Sequence, residues 1–301
     1  MTAAGLGHDH GRTATLRAAV RGAASLLAEA GVGSPDHDAC ALAAHVLGVD
    51  RLDLVLPPPL PADFTSRLAG LVERRCRREP LQHIVGHAFF RHVRLEVRPG
   101  VFVPRPETEV VAEVAVREAL RVAARRVPVV VDLCCGAGGM AVSVAHEVPG
   151  SQVHAVDLSG EAVALTEDNA RAVGVTVLTR VGDATDPRIL SDVAGSVDVV
   201  VSNPPYIPPH AVPVDPEVRD HDPDLALYGG GPDGLAVPRG VVTAAGSLLR
   251  TGGLLVMEHA EVQATAVREL VAARGVFDDV ETRDDLTGRP RMVVARRGGA
   301  S

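Results

Sequence analysis

Apolar residues recur at helical spacing over the first part of the chain. Leu16, Val20, Leu26 and Leu27 lie on an amphipathic stretch, which is typical of an α-helix. Helices are predicted over residues 13–31, 34–47 and 64–78. The breaker Pro57-Pro58-Pro59 separates the last two, because proline interrupts a helix. These elements predict a small helical domain over residues 1–85, in which we identify no catalytic constellation.

Alternation with a period of two replaces the helical pattern near residue 88. The segment Ala88–Val103 alternates apolar and polar residues around Arg98-Pro99-Gly100, which predicts a β-hairpin that turns at the Pro-Gly pair. We assign residues 86–108 to this linking hairpin. His83 and His87 are four residues apart without an evident third ligand. We therefore expect no metal site.

From residue 129 onward, short apolar runs alternate with amphipathic stretches. Strands are predicted over residues 129–133, 152–157, 177–181, 198–202 and 254–258, and helices over 110–125, 160–172 and 262–273. Segments near residues 280 and 292–295 complete the sheet as a C-terminal hairpin. Strands that alternate with helices are typical of a parallel, doubly wound sheet. Residues 109–301 are therefore predicted to form a Rossmann-like α/β domain.

Composition and charge narrow the class of protein. The chain has 301 residues, of which 46% are hydrophobic and 23% charged, as in ordinary globular proteins. The net charge of −8 argues against direct nucleic-acid binding, which relies on basic surfaces. Four cysteines without a CxxC pair favour reduced thiols, and no signal peptide or membrane span is evident. We expect a cytoplasmic protein, monomeric and without membrane contact.

The first strand of the α/β domain runs from Asp132 into a glycine-rich turn, Cys134-Cys135-Gly136-Ala137-Gly138. Its two glycines allow a sharp turn and the close approach of a ligand. The anionic end of that ligand can meet the N-terminus of the following helix. The turn alone is weak evidence, because dehydrogenases carry a similar one.

Carboxylates follow at the next two strand ends. Asp157 ends the second strand, where an acidic residue can accept hydrogen bonds from ribose hydroxyls. Asp183-Ala184 follows the third, where a carboxylate can bind the amino group of an adenine. No constellation for hydride transfer accompanies them, which argues against a nicotinamide cofactor.

The fourth strand ends in Asn203-Pro204-Pro205-Tyr206. The amide oxygen of Asn203 and the carbonyl of Pro204 can accept the two hydrogens of a planar NH2 group. Two prolines stiffen the loop, and the Tyr206 ring can lie against the flat face of the bound amide or base. The alternative is an ordinary turn, since Asn-Pro and Pro-Pro are common turn dipeptides.

Taken together, the loop and the three strand-end side chains resemble the Rossmann-like methyltransferases that use S-adenosylmethionine. The longer pattern resembles the protein-(glutamine-N5) methyltransferases, in the branch that modifies peptide-chain release factors. It includes Pro80–Gly86, Pro99–Glu109, Val201–Ile207, Glu217, Asp222-Pro223, Leu227, Gly230, Asp233–Leu235, Met257–His259 and Asp285–Arg289. The chain departs from the Gly-Thr-Gly-Ser-Gly-type loop of that family at Cys134 and Cys135.

The resemblance implies an α/β methyltransferase fold with a small helical N-terminal domain and a linking β-hairpin. We predict that the helical domain forms part of the docking surface for the protein substrate. Cofactor-binding residues are then Asp132, Cys134, Cys135, Gly136, Ala137, Gly138, Asp157, Asp183, Ala184 and Asn203, with Arg105 and Thr108 added by the resemblance. Catalysis is assigned to Asn203, Pro204, Pro205 and Tyr206.

The implied reaction moves a methyl group from S-adenosyl-L-methionine to the glutamine side chain in the Gly-Gly-Gln motif of a release factor. One alternative is methylation of an exocyclic amine on a DNA or RNA base, which poses the same geometric problem after base flipping. Another is a glutamine of a different protein, such as a ribosomal protein. A regulator that only binds S-adenosylmethionine is a third reading, which does not require the Asn-Pro-Pro-Tyr tetrad.

Overall fold

A computed structural model describes the backbone of residues 4–299 and the side chains of residues 15–299. The helices are α1 (Ala4–Glu29), α2 (Pro35–Leu47), α3 (Phe64–Cys76), α4 (Leu81–Val85), α5 (Thr108–Ala123), α6 (Gly139–Glu147), α7 (Gly160–Val173), α8 (Pro216–His221), α9 (Asp224–Leu227), α10 (Ala236–Leu248) and α11 (Ala264–Ala272). The strands are β1 (His87–Phe90), β2 (Val93–Glu96), β3 (Val129–Leu133), β4 (Gln152–Asp157), β5 (Leu178–Val181), β6 (Val197–Ser202), β7 (Leu249–Glu258), β8 (Phe277–Asp284) and β9 (Pro290–Arg297). No helix in this described part of the chain is long and apolar enough to cross a membrane.

The chain forms two compact units. The first extends to Gly86 and also includes Asp215–His221, and the second comprises His87–Val214 and Asp222–Ser301. The first unit is helical, with α1–α4 around a core that contains Leu16, Leu27 and Phe64. The sequence did not predict that α8 belongs to this unit, because residues 215–221 show no apolar pattern that would link them to the N-terminal helices.

Ion pairs inside the first unit explain why α8 belongs to it. Glu217 of α8 pairs with Arg75 at 2.7 Å and with Arg78 at 2.6 Å. Burial raises the pKa of Glu217, but the hydrogen bonds from Arg78 and Arg75 outweigh it and lower the pKa to about 2. Arg75 is itself buried and also pairs with Asp38 at 2.7 Å. The arginine-rich end of α3 is therefore engaged in pairing within the unit.

The second unit is built on a seven-stranded sheet in the order β5-β4-β3-β6-β7-β9-β8. The strands β3 to β7 are parallel, and β9 and β8 form an antiparallel edge. The order reverses between β3 and β6, which is the switch point where ligands bind in such sheets. The predicted α/β fold with a parallel sheet and an N-terminal helical part is confirmed.

Alternate residues of the central strands face two separate cores, because side chains of a strand point to opposite faces. Val199 and Val201 pack with residues of α5 and α6 on one face. Val200 packs with residues of α10 and α11 on the other. All six residues of β6 are buried, as expected for a central strand that is covered on both faces.

The linking hairpin is formed by β1 and β2, and its turn was predicted in the wrong place. The two strands pair from His87↔Glu96 to Phe90↔Val93, so the chain turns at Arg91, which has φ 51°. Phe90 and Leu95 belong to the core beside α5, which places both strands before Arg98-Pro99-Gly100. That tripeptide forms a separate turn, in which Val101 N donates to Arg98 O at 3.3 Å.

Candidate active site

The predicted site residues gather at the carboxyl edge of the parallel strands. Leu133, the last residue of β3, pairs with Ser202 of β6, and Ser202 pairs with Met257 of β7. This register sets the glycine-rich turn, the tetrad and Glu258 side by side at the switch point. The Ser202 hydroxyl donates to Leu133 O at 2.6 Å, which ties the two strand ends together.

Backbone contacts hold the Asn203-Pro204-Pro205-Tyr206 tetrad from behind. Ile207 N donates to Leu227 O at 2.9 Å, and Gly229 N donates to Ile207 O at 3.1 Å. A Cβ on Gly229 would lie 2.5 Å from Pro205 O and 2.8 Å from the Tyr206 Cα. The glycine therefore allows this close approach of backbone to the tetrad. The tetrad is a braced loop.

The side chain of Asn203 is half-buried and bound through its nitrogen. Its Nδ2 donates to Thr108 Oγ1 at 3.2 Å, which turns the amide oxygen away from Thr108. Pro204 is buried and Tyr206 is half-buried. The Tyr206 hydroxyl donates to Glu258 Oε1 at 3.4 Å, and burial raises the Tyr206 pKa.

Glu258 is buried behind the tetrad, and sequence reasoning did not single it out as a site residue. Burial raises its pKa from 4.5 to about 7, while a hydrogen bond from Thr108 and the charge of Arg291 oppose that rise. Gln263 Nε2 completes the support by donating to Tyr206 O at 2.8 Å. A carboxyl group at the end of a buried strand is the signal that could have identified Glu258.

The glycine-rich turn adopts the left-handed backbone that its glycines suggest. The φ values are 55° at Gly136 and 81° at Gly138, and Cys134 also has a positive φ of 66°. Cys134 N and Cys135 N donate to Val156 O at 2.8 Å and 3.0 Å. Left-handed backbone is disfavoured at a residue with a Cβ, which explains physically why glycine is usual at this position in the family.

Two polar residues of α7 brace this turn and were missed by sequence reasoning. Thr166 Oγ1 donates to Gly136 O at 3.0 Å. Asn169 Nδ2 donates to Ala137 O at 2.9 Å, and Asn169 Oδ1 accepts from Glu96 N at 2.7 Å. Both side chains are fully buried. Polar residues three apart on the apolar face of a helix are the signal that could have found them.

Asp157, the last residue of β4, binds the backbone of the glycine-rich turn. Its Oδ2 accepts from Gly136 N at 2.8 Å and its Oδ1 from Ser159 N at 2.9 Å. Burial raises the pKa of this carboxyl, and the backbone hydrogen bonds oppose that rise. Asp157 is therefore placed directly against the glycine-rich turn, with a half-buried side chain.

The other predicted cofactor residues differ in their surroundings. Asp132 is fully buried, its Oδ2 accepts from Ala141 N at 3.0 Å, and burial raises its pKa to about 8. Asp183 is exposed and its Oδ1 accepts from Thr185 N at 2.8 Å, while Ala184 is buried. Arg105 pairs with the buried Asp222 and lies over the Phe102 ring at 4.9 Å.

Burial raises the pKa of both Cys134 and Cys135 above the ordinary value of a thiol. The thiolate is the reactive form of cysteine, and burial disfavours that form at both positions. The Cys135 thiol contacts Thr166 Oγ1 at 3.5 Å. Both cysteines belong to the turn itself, where Cys135 packs into the core on one face of the sheet and Cys134 against the core on the other.

Known families match both parts of this chain. Residues 18–86 match the PrmC N-terminal domain, and residues 96–215 match the methyltransferase small domain. The release factor glutamine methyltransferase of Mycolicibacterium smegmatis is 46% identical over 94% of this chain and 98% of its own length. That of Streptomyces coelicolor is 47% identical, with 94% and 98% coverage. The chain belongs to the release factor glutamine methyltransferase family.

The family membership confirms the resemblance inferred from the sequence, and it makes the protein a methyltransferase that uses S-adenosylmethionine. A relative of different name is the 4-amino-L-phenylalanine/4-methylamino-L-phenylalanine methyltransferase of Streptomyces pristinaespiralis, 42% identical over 80% of this chain and 81% of its own.

The residues at the switch point fit the cofactor. A Cβ on Gly138 would lie 2.9 Å from the Thr166 side chain, so glycine there allows the turn to pack closely against α7. The Oδ1 atom of Asp132 is buried without a hydrogen-bond partner among residues 15–299, beside the same turn. Asp157 supplies a carboxylate at the strand end where ribose hydroxyls bind in such sheets.

Proposed function

We propose that this methyltransferase modifies the side-chain nitrogen, N5, of a glutamine in the Gly-Gly-Gln motif of a peptide-chain release factor. One observation supports it most directly: Ser202, which precedes the tetrad, pairs with Leu133, which precedes the glycine-rich turn. A loop of amide acceptors therefore adjoins the turn assigned to the cofactor. The relatives that match over nearly their whole length are named release factor glutamine methyltransferases, which favours a glutamine as the acceptor.

The chemical difficulty of the reaction is that an amide nitrogen is a poor nucleophile, because its lone pair is delocalised into the carbonyl. In the proposed complex, Asn203 Oδ1 and the Pro204 carbonyl oxygen each accept a hydrogen bond from one N–H group of the glutamine side chain. These contacts stabilise the positive charge that builds on nitrogen. They also aim the nitrogen, and orientation alone contributes much of the rate of such reactions.

Bound S-adenosylmethionine supplies an electrophilic methyl group on its sulfonium. The chain's own residues bind and orient: Asp157 is assigned to the ribose, Asp183 and Ala184 to the adenine. The substrate nitrogen becomes acidic as its new bond to carbon forms, so it releases a proton without a strong base acting beforehand. Tyr206, whose hydroxyl is bound to Glu258, is assigned to the flat face of the substrate amide.

The proposal extends to partners. The helical unit that ends at Gly86 is assigned to docking of the protein substrate. The enzyme is proposed to act as a cytoplasmic monomer, without direct contact with nucleic acid, in keeping with its net charge of −8.

The test is incubation of the purified enzyme with labelled S-adenosylmethionine and one candidate acceptor at a time. Release factor should be labelled on the glutamine of its Gly-Gly-Gln motif, located by mass spectrometry, and a factor with asparagine there should stay unlabelled. Duplex DNA, ribosomal RNA, ribosomal proteins and 4-amino-L-phenylalanine are the competing acceptors. Faster labelling of any of these than of release factor would contradict the proposal.

The role of Asn203 is tested by Asn203→Ala, which removes one acceptor of the substrate amine. Loss of a preorganised contact of this kind lowers turnover by about two to three orders of magnitude. Affinity for S-adenosylmethionine, measured by calorimetry, should change much less. Near-wild-type turnover in this variant would show that the tetrad is not the amide-binding element.

A further inference from the structure

Gln263 joins three backbone segments at the carboxyl edge of the sheet. Its side chain is buried directly before α11. The Nε2 atom donates to Tyr206 O at 2.8 Å and to Asp233 O at 3.1 Å, and Oε1 accepts from Ala260 N at 3.3 Å. Both polar atoms of the amide are therefore used. One side chain links the tetrad, the loop before α10 and the turn after β7.

The loop before α10 contains Asp233-Gly234-Leu235, which is part of the family pattern but contributes no group to the proposed chemistry. Gly234 has φ 75°, and a Cβ on it would lie 2.3 Å from Tyr206 O and 2.7 Å from Pro208 N. The loop backbone therefore packs directly on the backbone at the end of the tetrad. Gln263 binds a carbonyl of each segment, so it holds the two together.

The two prolines limit how the tetrad can be held in place. Proline has no backbone N–H, so within the tetrad only Asn203 and Tyr206 retain one. The carbonyl oxygen of Pro204 is assigned to the substrate amine and must stay available to it. Little of the backbone of the tetrad thus remains for hydrogen bonds that would orient it. Its orientation must be set by the residues that flank the prolines.

The peptide unit between Tyr206 and Ile207 is fixed at both of its polar atoms. Its oxygen accepts from Gln263, and its N–H donates to Leu227 O at 2.9 Å. A peptide unit is planar and stiff, so these two bonds determine its orientation. Few torsions separate it from the acceptor carbonyl of the tetrad, and the Pro205 ring fixes one of them. A shift of this peptide unit would therefore move the acceptor as well.

We propose that Gln263 is a positioning residue, which holds the backbone of the tetrad so that its carbonyl acceptor faces the substrate amine. This inference rests on the proposed function of the tetrad. The role requires two hydrogen-bond donors on one side chain, because both targets are carbonyl oxygens. Glutamine supplies both on a single nitrogen, whereas an ionised glutamate of the same shape supplies none.

Gln263→Glu and Gln263→Met remove the two donors while keeping a side chain of similar length. We expect turnover on release factor at saturating cofactor to fall about ten- to a hundredfold in both, because small displacements of a substrate-binding group have effects of this size. The Kd of S-adenosylmethionine should stay unchanged. Gln152→Glu is the matched control, since it makes the same substitution at the exposed first residue of β4, and it should keep wild-type turnover.

Tyrosine fluorescence provides a readout that does not depend on activity. The chain has no tryptophan and two tyrosines, Tyr206 and Tyr228, so in a Tyr228→Phe background the emission reports on Tyr206 alone. We expect acrylamide to quench this emission more readily when Gln263→Met is added, because the ring is attached to the backbone that has lost its support. Urea unfolding of the same proteins measures global stability, so that turnover is compared where every variant is folded.

Two results would overturn the assignment. One is full turnover in Gln263→Met, whatever its stability and whatever the activity of Gln263→Glu, because methionine lacks both donors. The other is lost turnover with unchanged quenching of Tyr206, which would show that the backbone of the tetrad has not moved. Both results leave the proposed function intact, whereas a wild-type enzyme inert on release factor would remove the proposed function and this inference together.

Discussion

Replacing Glu258 by glutamine should change how the stability of the protein depends on pH. The carboxyl is 3% exposed, and burial raises its pKa from 4.5 to about 7. Between these two values the folded protein holds a proton at Glu258 that the unfolded chain has already released. Stability from this group is therefore complete below pH 4.5 and is lost as pH rises through about 7.

The magnitude follows from the size of the pKa shift. Each pKa unit corresponds to about 1.4 kcal/mol, so a rise from 4.5 to about 7 makes wild-type unfolding easier by about 3 kcal/mol at pH 8 than at pH 4. Glutamine has nearly the same shape and no titrating proton. The free energy of unfolding of Glu258→Gln, relative to wild type, should therefore rise by about that amount between pH 4 and pH 8.

Urea unfolding of both proteins at several pH values measures this difference directly. The comparison of two proteins cancels the many carboxylates that titrate alike in each. Glu261→Gln, the same substitution at an exposed position, corrects for the change in net charge. If the difference between Glu258→Gln and wild type is the same at every pH, the reasoning from burial to a raised pKa fails.

Three further outcomes are expected. Asp157→Ala should weaken S-adenosylmethionine binding by about 1.5–3 kcal/mol in calorimetry, because the carboxylate also holds Gly136 N; unchanged affinity would contradict this role. Gly229→Ala should lower turnover at least tenfold, since its Cβ would meet Pro205 O at 2.5 Å, while Gly33→Ala, with open space, should not. Serine at Val55 and Leu56, which are 70% and 73% exposed, should raise the KM for intact release factor but not for a Gly-Gly-Gln peptide, if the helical unit docks the substrate.

The parts of the fold that the sequence predicts well are those with a strong hydrophobic pattern. Strand β6 is an unbroken buried run between Ala194-Gly195-Ser196 and the proline-rich tetrad, and it lies where that run predicts. Helix α7 begins at the capping residue Ser159, whose side chain accepts from Ala162 N. In both cases, local sequence and tertiary burial favour the same structure, so that the pattern alone suffices.

The misplaced hairpin turn shows a conflict between local and tertiary preferences. Arg98-Pro99-Gly100 is a strong local turn signal, and a turn does form there. The strands nevertheless pair further upstream, and in that register Phe90 and Leu95 are buried in the core. Burial of two large side chains contributes about 1.5–3 kcal/mol each, more than the preference of one turn.

Long-range polar contacts could not be predicted at all. Thr108 and Asn203 are 95 residues apart in the chain, and Arg78 and Glu217 are 139 apart. Neither pair carries a periodic pattern, because a single hydrogen bond or ion pair imposes no spacing on the sequence. The inclusion of Asp215–His221 in the helical unit depends on such contacts, and it became evident only in three dimensions.

The vicinal cysteines Cys134 and Cys135 change the glycine-rich turn less than their departure from the family pattern suggests. Cys134 stands at the position where the family's loop has its first glycine. In the structure this residue adopts φ 66°. A left-handed residue with a Cβ costs about 1–2 kcal/mol. The turn persists because backbone bonds from Cys134 N and Cys135 N to Val156 O, which any side chain permits, determine its course. The substitution therefore affects the stability of the turn, while the left-handed backbone at Gly136 and Gly138, the residues proposed to bind the cofactor, is retained.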